Sequence, residues 1–174
     1  MDIKTGNRSE RLCCGPHFGS LTPVNPEKSV VFDFLPSIML PRVSNLDDFV
    51  AAKLFDKWVS NADTRQAIFY RPGKRKEFRA LMIDHGRIFS GDSWQLQDFA
   101  HGRPYFDQAV YRTGLAPQKV AASVARMEGI SREDLEEIVR SIPNEWIGND
   151  CAALNALILR LLERKGRLAE LAQS

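Results

Sequence analysis

Cysteine is scarce in this chain of 174 residues: there are three, and two of them, Cys13 and Cys14, are adjacent. Neighbouring cysteines bridge poorly, and no second pair stands at metal-ligand spacing, so neither a disulfide framework nor a zinc site is expected. Free thiols in a reducing compartment are the expectation. Long apolar runs are missing too. The most apolar stretch, CAALNALILRLL from Cys151, is broken by Asn155 and Arg160 and falls short of the roughly 20 residues that cross a bilayer. The opening MDIKTGNRSERLCCG has no apolar core of secretory-signal length, so a cytoplasmic protein without a membrane partner is expected. Charge of one sign is also lacking, since 24 cations against 22 carboxylates leave +2. That balance gives no global reason to expect direct nucleic-acid binding. His17, His85 and His101 are too scattered for a metal triad. No Gly-x-Ser-x-Gly elbow supports a serine hydrolase, and neither an internal repeat nor a low-complexity tract is present.

Hydrophobic residues at 44% and charged residues at 26% fit a soluble globular domain, or one lobe of a larger fold. Residues 1–28 read as an irregular segment rich in Gly, Pro and Ser, and 29–174 as the folded body. SVVFDFLP is a short strand ended by Pro36, and PSIMLPR is a Pro-bounded connection. A helix is expected from Leu46, with Asn45, Asp47 and Asp48 as cap and first-turn acids. Leu46, Val50, Leu54 and Trp58 recur every fourth position and form its packed face. AIFYR and FRALMID then read as two strands joined by PGKRKE, a hairpin end. The basic run Arg71 to Lys76 is expected to be a solvated turn. After Asp84 the chain is irregular, and the C-terminal third is helical, with a Pro start, a Ser cap and a basic last turn before Gly marking its segments. Trp58 and Trp146 are expected in the core, Trp94 in a loop, and Cys151 buried on an amphipathic helix.

The stretch FDKWVSNADTRQAIFYR, Phe55 to Arg71, sets a polar knot between two elements that both want burial. If the strands pair with Ala67 opposite Asp84, the loop before strand one and the acid ending strand two share the hairpin's open end. Asp63, Gln66 and Asp84 then lie close together, since cross-strand neighbours are about 5 Å apart. Two carboxylates so placed need a cation between them. Arg65 could serve, giving a structural Asp–Arg pair, and so could a metal. Carboxylates and an amide oxygen are hard ligands that suit Mg²⁺.

Asn61-Ala62-Asp63 with Arg65 and Gln66, a strand pair, and MIDHGRIF at Met82–Phe89 resemble the C-terminal lobe of HipA-like kinases, members of the protein-kinase-like superfold. GPHFGS, VFDFLP, FDKWVSNADTRQAIF and IPNEW at Ile142–Trp146 are similar to the small stand-alone members of that family. The resemblance runs from about Gly15 almost to the end of the sequence. It implies an α+β, mostly helical lobe with a small β-hairpin carrying the site, over residues 29–174. It also implies a serine/threonine kinase using ATP and Mg²⁺ to phosphorylate a protein substrate, in a toxin–antitoxin-like setting. In that reading Asp63 orients the substrate hydroxyl, Asn61 steadies the catalytic loop, Asp84 holds the metal, and Gln66 is a second metal ligand; Arg65 completes the catalytic group. HipA-type loops carry His two residues and Asn five residues after the catalytic aspartate. Here those positions are Arg65 and Ile68, so Gln66 must replace the missing ligand.

A kinase of this fold also needs an N-terminal lobe with a phosphate-covering loop and a phosphate-pairing lysine. Here Lys4 has no strand context, and no Gly-rich loop follows a strand. The expectation is a truncated kinase that lacks an N-lobe or relies on a partner protein, with a non-catalytic, pseudokinase-like interaction module as the alternative. Without that lobe an apolar surface near the acidic site is expected to face water, with Leu12, Phe18, Leu21 and Val24 nearby, and the chain is expected to self-associate.

Overall fold

The computed structural model describes residues 2–5, 8–11, 15, 16, 18, 19, 21, 24, 25, 27–73, 75–91, 96, 103–112 and 117–173. Strands β1 (Asp2–Thr5) and β2 (Arg8–Arg11) pair antiparallel, with Lys4 opposite Ser9. The segment 1–28, expected to be irregular, therefore contains a hairpin, and Lys4 lies in a strand. These strands are almost wholly polar, so they have no apolar alternation to reveal them. Then follow β3 (Ser29–Phe32), a 3₁₀ turn at Ser37–Arg42, α1 (Asp47–Trp58), β4 (Gln66–Pro72), β5 (Arg79–Ile83) and a second 3₁₀ turn at Gln108–Tyr111. Five helices close the chain: α2 (Pro117–Glu128), α3 (Arg132–Arg140), α4 (Asn144–Ile147), α5 (Cys151–Lys165) and α6 (Leu168–Gln173). The fold is α+β, 49% helical, around a three-stranded antiparallel sheet.

That sheet runs in the order β3-β4-β5. Gln66 faces Ile83 and Ala67 faces Met82, so the hairpin register differs by two residues from the expected pairing of Ala67 with Asp84. Both the polar knot and Asp84 still fall at the open end. The outer edge of β5 is closed without a further strand. Phe78 N donates to Arg42 O and Ser44 N to Phe78 O, each at 2.9 Å. Asn45 then exchanges two bonds with the backbone of Ala80, at 2.8 and 2.9 Å. Asn45 thus bridges the sheet and the helix, its Nδ2 also donating to Asp48 Oδ2 at 2.6 Å, and Leu46 stands at the cap position with no side-chain bond, ahead of Asp47 and Asp48 in the first turn.

α1 serves two cores. Phe49 and Val50 in its first half pack on Ala67, Phe69 and Ala80 of the sheet, together with Tyr105, Val110 and Tyr111. Leu54, Trp58 and the following Val59 pack instead with Leu135, Leu157, Ile158, Leu161 and Leu168 of the helical half. The stripe Leu46, Val50, Leu54 and Trp58 is buried throughout, as its spacing predicts. Burying each such side chain contributes about 1.5–3 kcal/mol. The end of α1 is tied to α5 in both directions. Trp58 Nε1 donates to Leu161 O at 2.8 Å, while Arg164 donates from Nε to Trp58 O and from Nη2 to Lys57 O. A guanidinium at the carbonyl end of a helix also meets the negative pole of its dipole. At the opposite terminus of α3, Ser131 and Asp134 form a reciprocal capping box.

Two expected core residues lie elsewhere. Trp146 is 44% exposed and its indole donates to Pro16 O, because the short α4 offers no second apolar turn to pack it. Cys151 is exposed at the start of α5, where the buried face is formed by Leu154, Leu157, Ile158 and Leu161. Trp94 and Leu12 lie outside the described residues. Among the described residues no helix is long and apolar enough to cross a membrane.

Candidate functional site

The seam between the two cores carries the polar knot. α1 ends in Asp56, Lys57 and Trp58, all buried, and the chain must then reverse to enter β4. Ser60 takes a left-handed backbone, φ 52°, and Asn61 N bonds back to Asp56 O at 2.8 Å. The Asn61 side chain links both neighbours. Its Nδ2 donates to Asp56 Oδ1 at 3.1 Å, and its Oδ1 accepts from Asp63 N at 3.1 Å. Asp63 Oδ1 accepts from Thr64 N, and its Oδ2 has no hydrogen-bond partner among the described residues.

Arg65 is 2% exposed, one of the largest fully buried side chains. Its Nε donates to Asp56 Oδ2 at 2.8 Å and its Nη2 to Asp56 Oδ1, a two-pronged pair. Its Nη1 donates to Ile83 O at 3.1 Å and lies 3.2 Å from His85 Nδ1. A guanidinium can only donate, so this contact is a hydrogen bond in the tautomer that carries its hydrogen on Nε2. Burial first, and the Arg65 charge second, hold the His85 pKa below its ordinary value, against the raising effect of Asp56 and Asp84. One buried cation thereby joins the last turn of α1, the start of β4 and the end of β5.

Asp84 follows β5 in a left-handed conformation, φ 55°, and its carboxylate is exposed. Its Oδ1 accepts from Gly86 N at 3.3 Å and its Oδ2 from Gln66 Nε2 at 2.9 Å. The loop beyond it is pinned to the knot by three backbone bonds: Ala62 N to Arg87 O, Phe89 N to Val59 O, and Ser90 N to Ser60 O. Phe89 and Ser90 are left-handed as well, at 58° and 63°. All four non-glycine residues found with positive φ among the described residues lie in these two loops. Each such conformation costs roughly 1–2 kcal/mol, and backbone strain of this kind concentrates at functional sites.

The structure brings together all five residues singled out from sequence, Asn61, Asp63, Arg65, Gln66 and Asp84, but in two groups. Asn61 and Arg65 belong to a buried network centred on Asp56. Gln66 and Asp84 are exposed at the hairpin's open end, with half-buried Asp63 in the adjoining loop. Arg65 therefore does not separate Asp63 from Asp84, since its guanidinium is committed to Asp56. Asp56 itself carries no motif that singles it out. Its one signal is an acid on the packed half of α1, a single turn before a cluster that contains an arginine.

The donor set at the open end is compatible with a small hard cation. Each Asp84 oxygen accepts one bond and keeps capacity for another, and Gln66 Nε2 donates one hydrogen to Asp84 while its Oε1 has no partner among the described residues. Among the described residues no three His, Cys, Asp or Glu side chains assemble into a closed metal site. Ile68, which stands five residues after Asp63, faces Leu81 across the hairpin. By strand alternation it shares the sheet face opposite α1 with Tyr70, Leu81 and Ile83. This half-buried apolar surface begins beside Gln66 and Asp84. Comparison with protein-family models, curated proteins and solved structures finds no match.

Proposed function

We propose that the chain is a HipA-like kinase lobe, which transfers a phosphoryl group from ATP to a protein hydroxyl. One observation carries the reading. Two carboxylates, half-buried Asp63 and exposed Asp84, lie on strained loops that three backbone hydrogen bonds hold together. Phosphoryl transfer asks a protein for little beyond such positioning and charge neutralisation. Asp63, with a free Oδ2, accepts the proton of the substrate hydroxyl. Asp84 and the Gln66 Oε1 would hold Mg²⁺, which takes one or two carboxylates and completes its shell with phosphate oxygens. When bound, that ion supplies neutralisation of phosphate charge. Asn61 and Arg65 are positioning residues: one fixes the Asp63 backbone, the other fixes the carbonyl before Asp84. The apolar face of Ile68, Tyr70, Leu81 and Ile83 offers a dry floor for the base of the nucleotide.

Calorimetry with ATP, with and without Mg²⁺, tests the reading. Metal-dependent binding is expected, with the metal dependence lost in Asp84→Ala. Asp63→Ala should keep binding and lose transfer by about 10²–10⁴-fold, the usual worth of a general base. A second reading, a non-catalytic interaction module, is favoured by Ile68 standing on an apolar face in place of a ligand. Absence of binding at millimolar nucleotide would select it.

A further inference from the structure

The outer edge of β3 accepts no backbone hydrogen bond among the described residues, and its side chains are unusually bare. Val30, Val31 and Phe32 are 47%, 37% and 38% exposed, and Phe34, just beyond the strand, lies tilted against exposed Phe106. Protein edges are commonly blunted by lysine, proline or a bulge. SVVF has none of these, and its charges sit at the two ends. Lys28 precedes the strand, where Ser29 pairs with Pro72 beside Arg71 and the basic hairpin turn. Asp33 follows it.

From these features we infer that β3 pairs antiparallel with β3 of a second copy across a two-fold axis, extending the sheet from three strands to six. Antiparallel pairing brings the cationic end of one strand beside the Asp33 end of the other, whereas a parallel arrangement would align like charges. The register follows as well. Backbone groups point alternately in and out along a strand, so a two-fold axis between identical edges must pass through a residue paired with its own copy. An axis through Val30 sets Glu27 opposite Asp33, two like charges. An axis through Val31 sets Val31 against Val31, Val30 against Phe32 and Ser29 against Asp33. The second register contains only favourable neighbours, an aliphatic–aromatic pair and a hydroxyl–carboxylate pair among them. The patch is small beside the roughly 800 Å² per partner of a standard interface, so a weak, reversible dimer is expected.

Charge exchange at Val31 tests it. Wild-type protein should sediment as a concentration-dependent dimer. Val31→Lys and Val31→Glu should each weaken dimerisation about tenfold or more, because identical charges meet about 5 Å apart across the axis. Mixing the two variants should restore a one-to-one heterodimer. The same exchange at Val30, which faces Phe32, should not restore it. Amide exchange in unsubstituted protein reads the same contact, with β3 amides gaining protection as concentration rises. A wild-type monomer at high concentration, a Val31 mixture that stays monomeric, or β3 exchange independent of concentration would overturn the inference.

Discussion

Truncating Asp56 to Ala should be among the most damaging single changes outside the apolar cores. The carboxylate is 5% and Arg65 2% exposed, and Asp56 supplies two of the guanidinium's bonds and one of those made by Asn61. Its removal leaves a buried cation with only Ile83 O and His85 Nδ1 as acceptors among the described residues. Breaking a buried pair from one side typically costs about 3–5 kcal/mol. A domain's whole stability is about 5–15 kcal/mol, so partial unfolding at ambient temperature is within reach. Arg65→Ala should cost about as much, by stranding the carboxylate. Replacing both at once, as Asp56→Leu with Arg65→Met, removes two desolvation penalties together with their mutual attraction. That double variant should be clearly more stable than either single truncation, and close to wild type if the site repacks. Urea unfolding followed by circular dichroism measures all of these. Single variants within about 1 kcal/mol of wild type, the range of an exposed pair, would refute the reasoning. So would a double change whose cost equals the sum of the two truncations.

Asn45→Ala leaves the N–H and C=O of Ala80 without their side-chain partner, which should cost about 1–3 kcal/mol. Faster amide exchange at Ala80, ahead of any global change, would locate the effect at the β5 edge. Tyr105 and Tyr111 should respond oppositely to loss of their hydroxyls. The Tyr105 hydroxyl is buried with no partner among the described residues, so Tyr105→Phe should be neutral or stabilising by about 1 kcal/mol in urea unfolding. The Tyr111 hydroxyl accepts from Tyr105 N at 2.8 Å, so Tyr111→Phe should destabilise by about 1–3 kcal/mol. Burial pushes both phenols up to about 12 from an ordinary 10.0. The native state then keeps protons that the unfolded chain releases, so this contribution is complete below pH 10 and is lost as pH rises toward about 12. A double Phe variant should lose stability less steeply over that range, as unfolding at successive pH values would record.

What the sequence determined by itself is local and periodic. The four-residue spacing of Leu46, Val50, Leu54 and Trp58 specifies which face of α1 is buried, because a helix returns to the same side every 3.6 residues. Ser131 and Asp134 mark the start of α3 through bonds that span only three residues. Turn chemistry in PGKRKE brings the ends of β4 and β5 together, and with them Asp63, Gln66 and Asp84, whatever the register within two residues. Tertiary structure alone decided which carboxylate Arg65 would meet. Asp56, Asp63 and Asp84 all lie within reach of Arg65 along the chain, and nothing in their spacing ranks them. Burial ranks them: a guanidinium closed off between two cores needs a carboxylate closed off with it, and only Asp56, on the packed turn of α1, is so enclosed. Asp84 is left exposed and Asp63 half-buried for that reason. The same nonlocal logic gave Asn45 to the β5 edge, β3 to the far side of β4, and Trp146 to the surface. In each case the deciding neighbour is distant in sequence and was selected by packing.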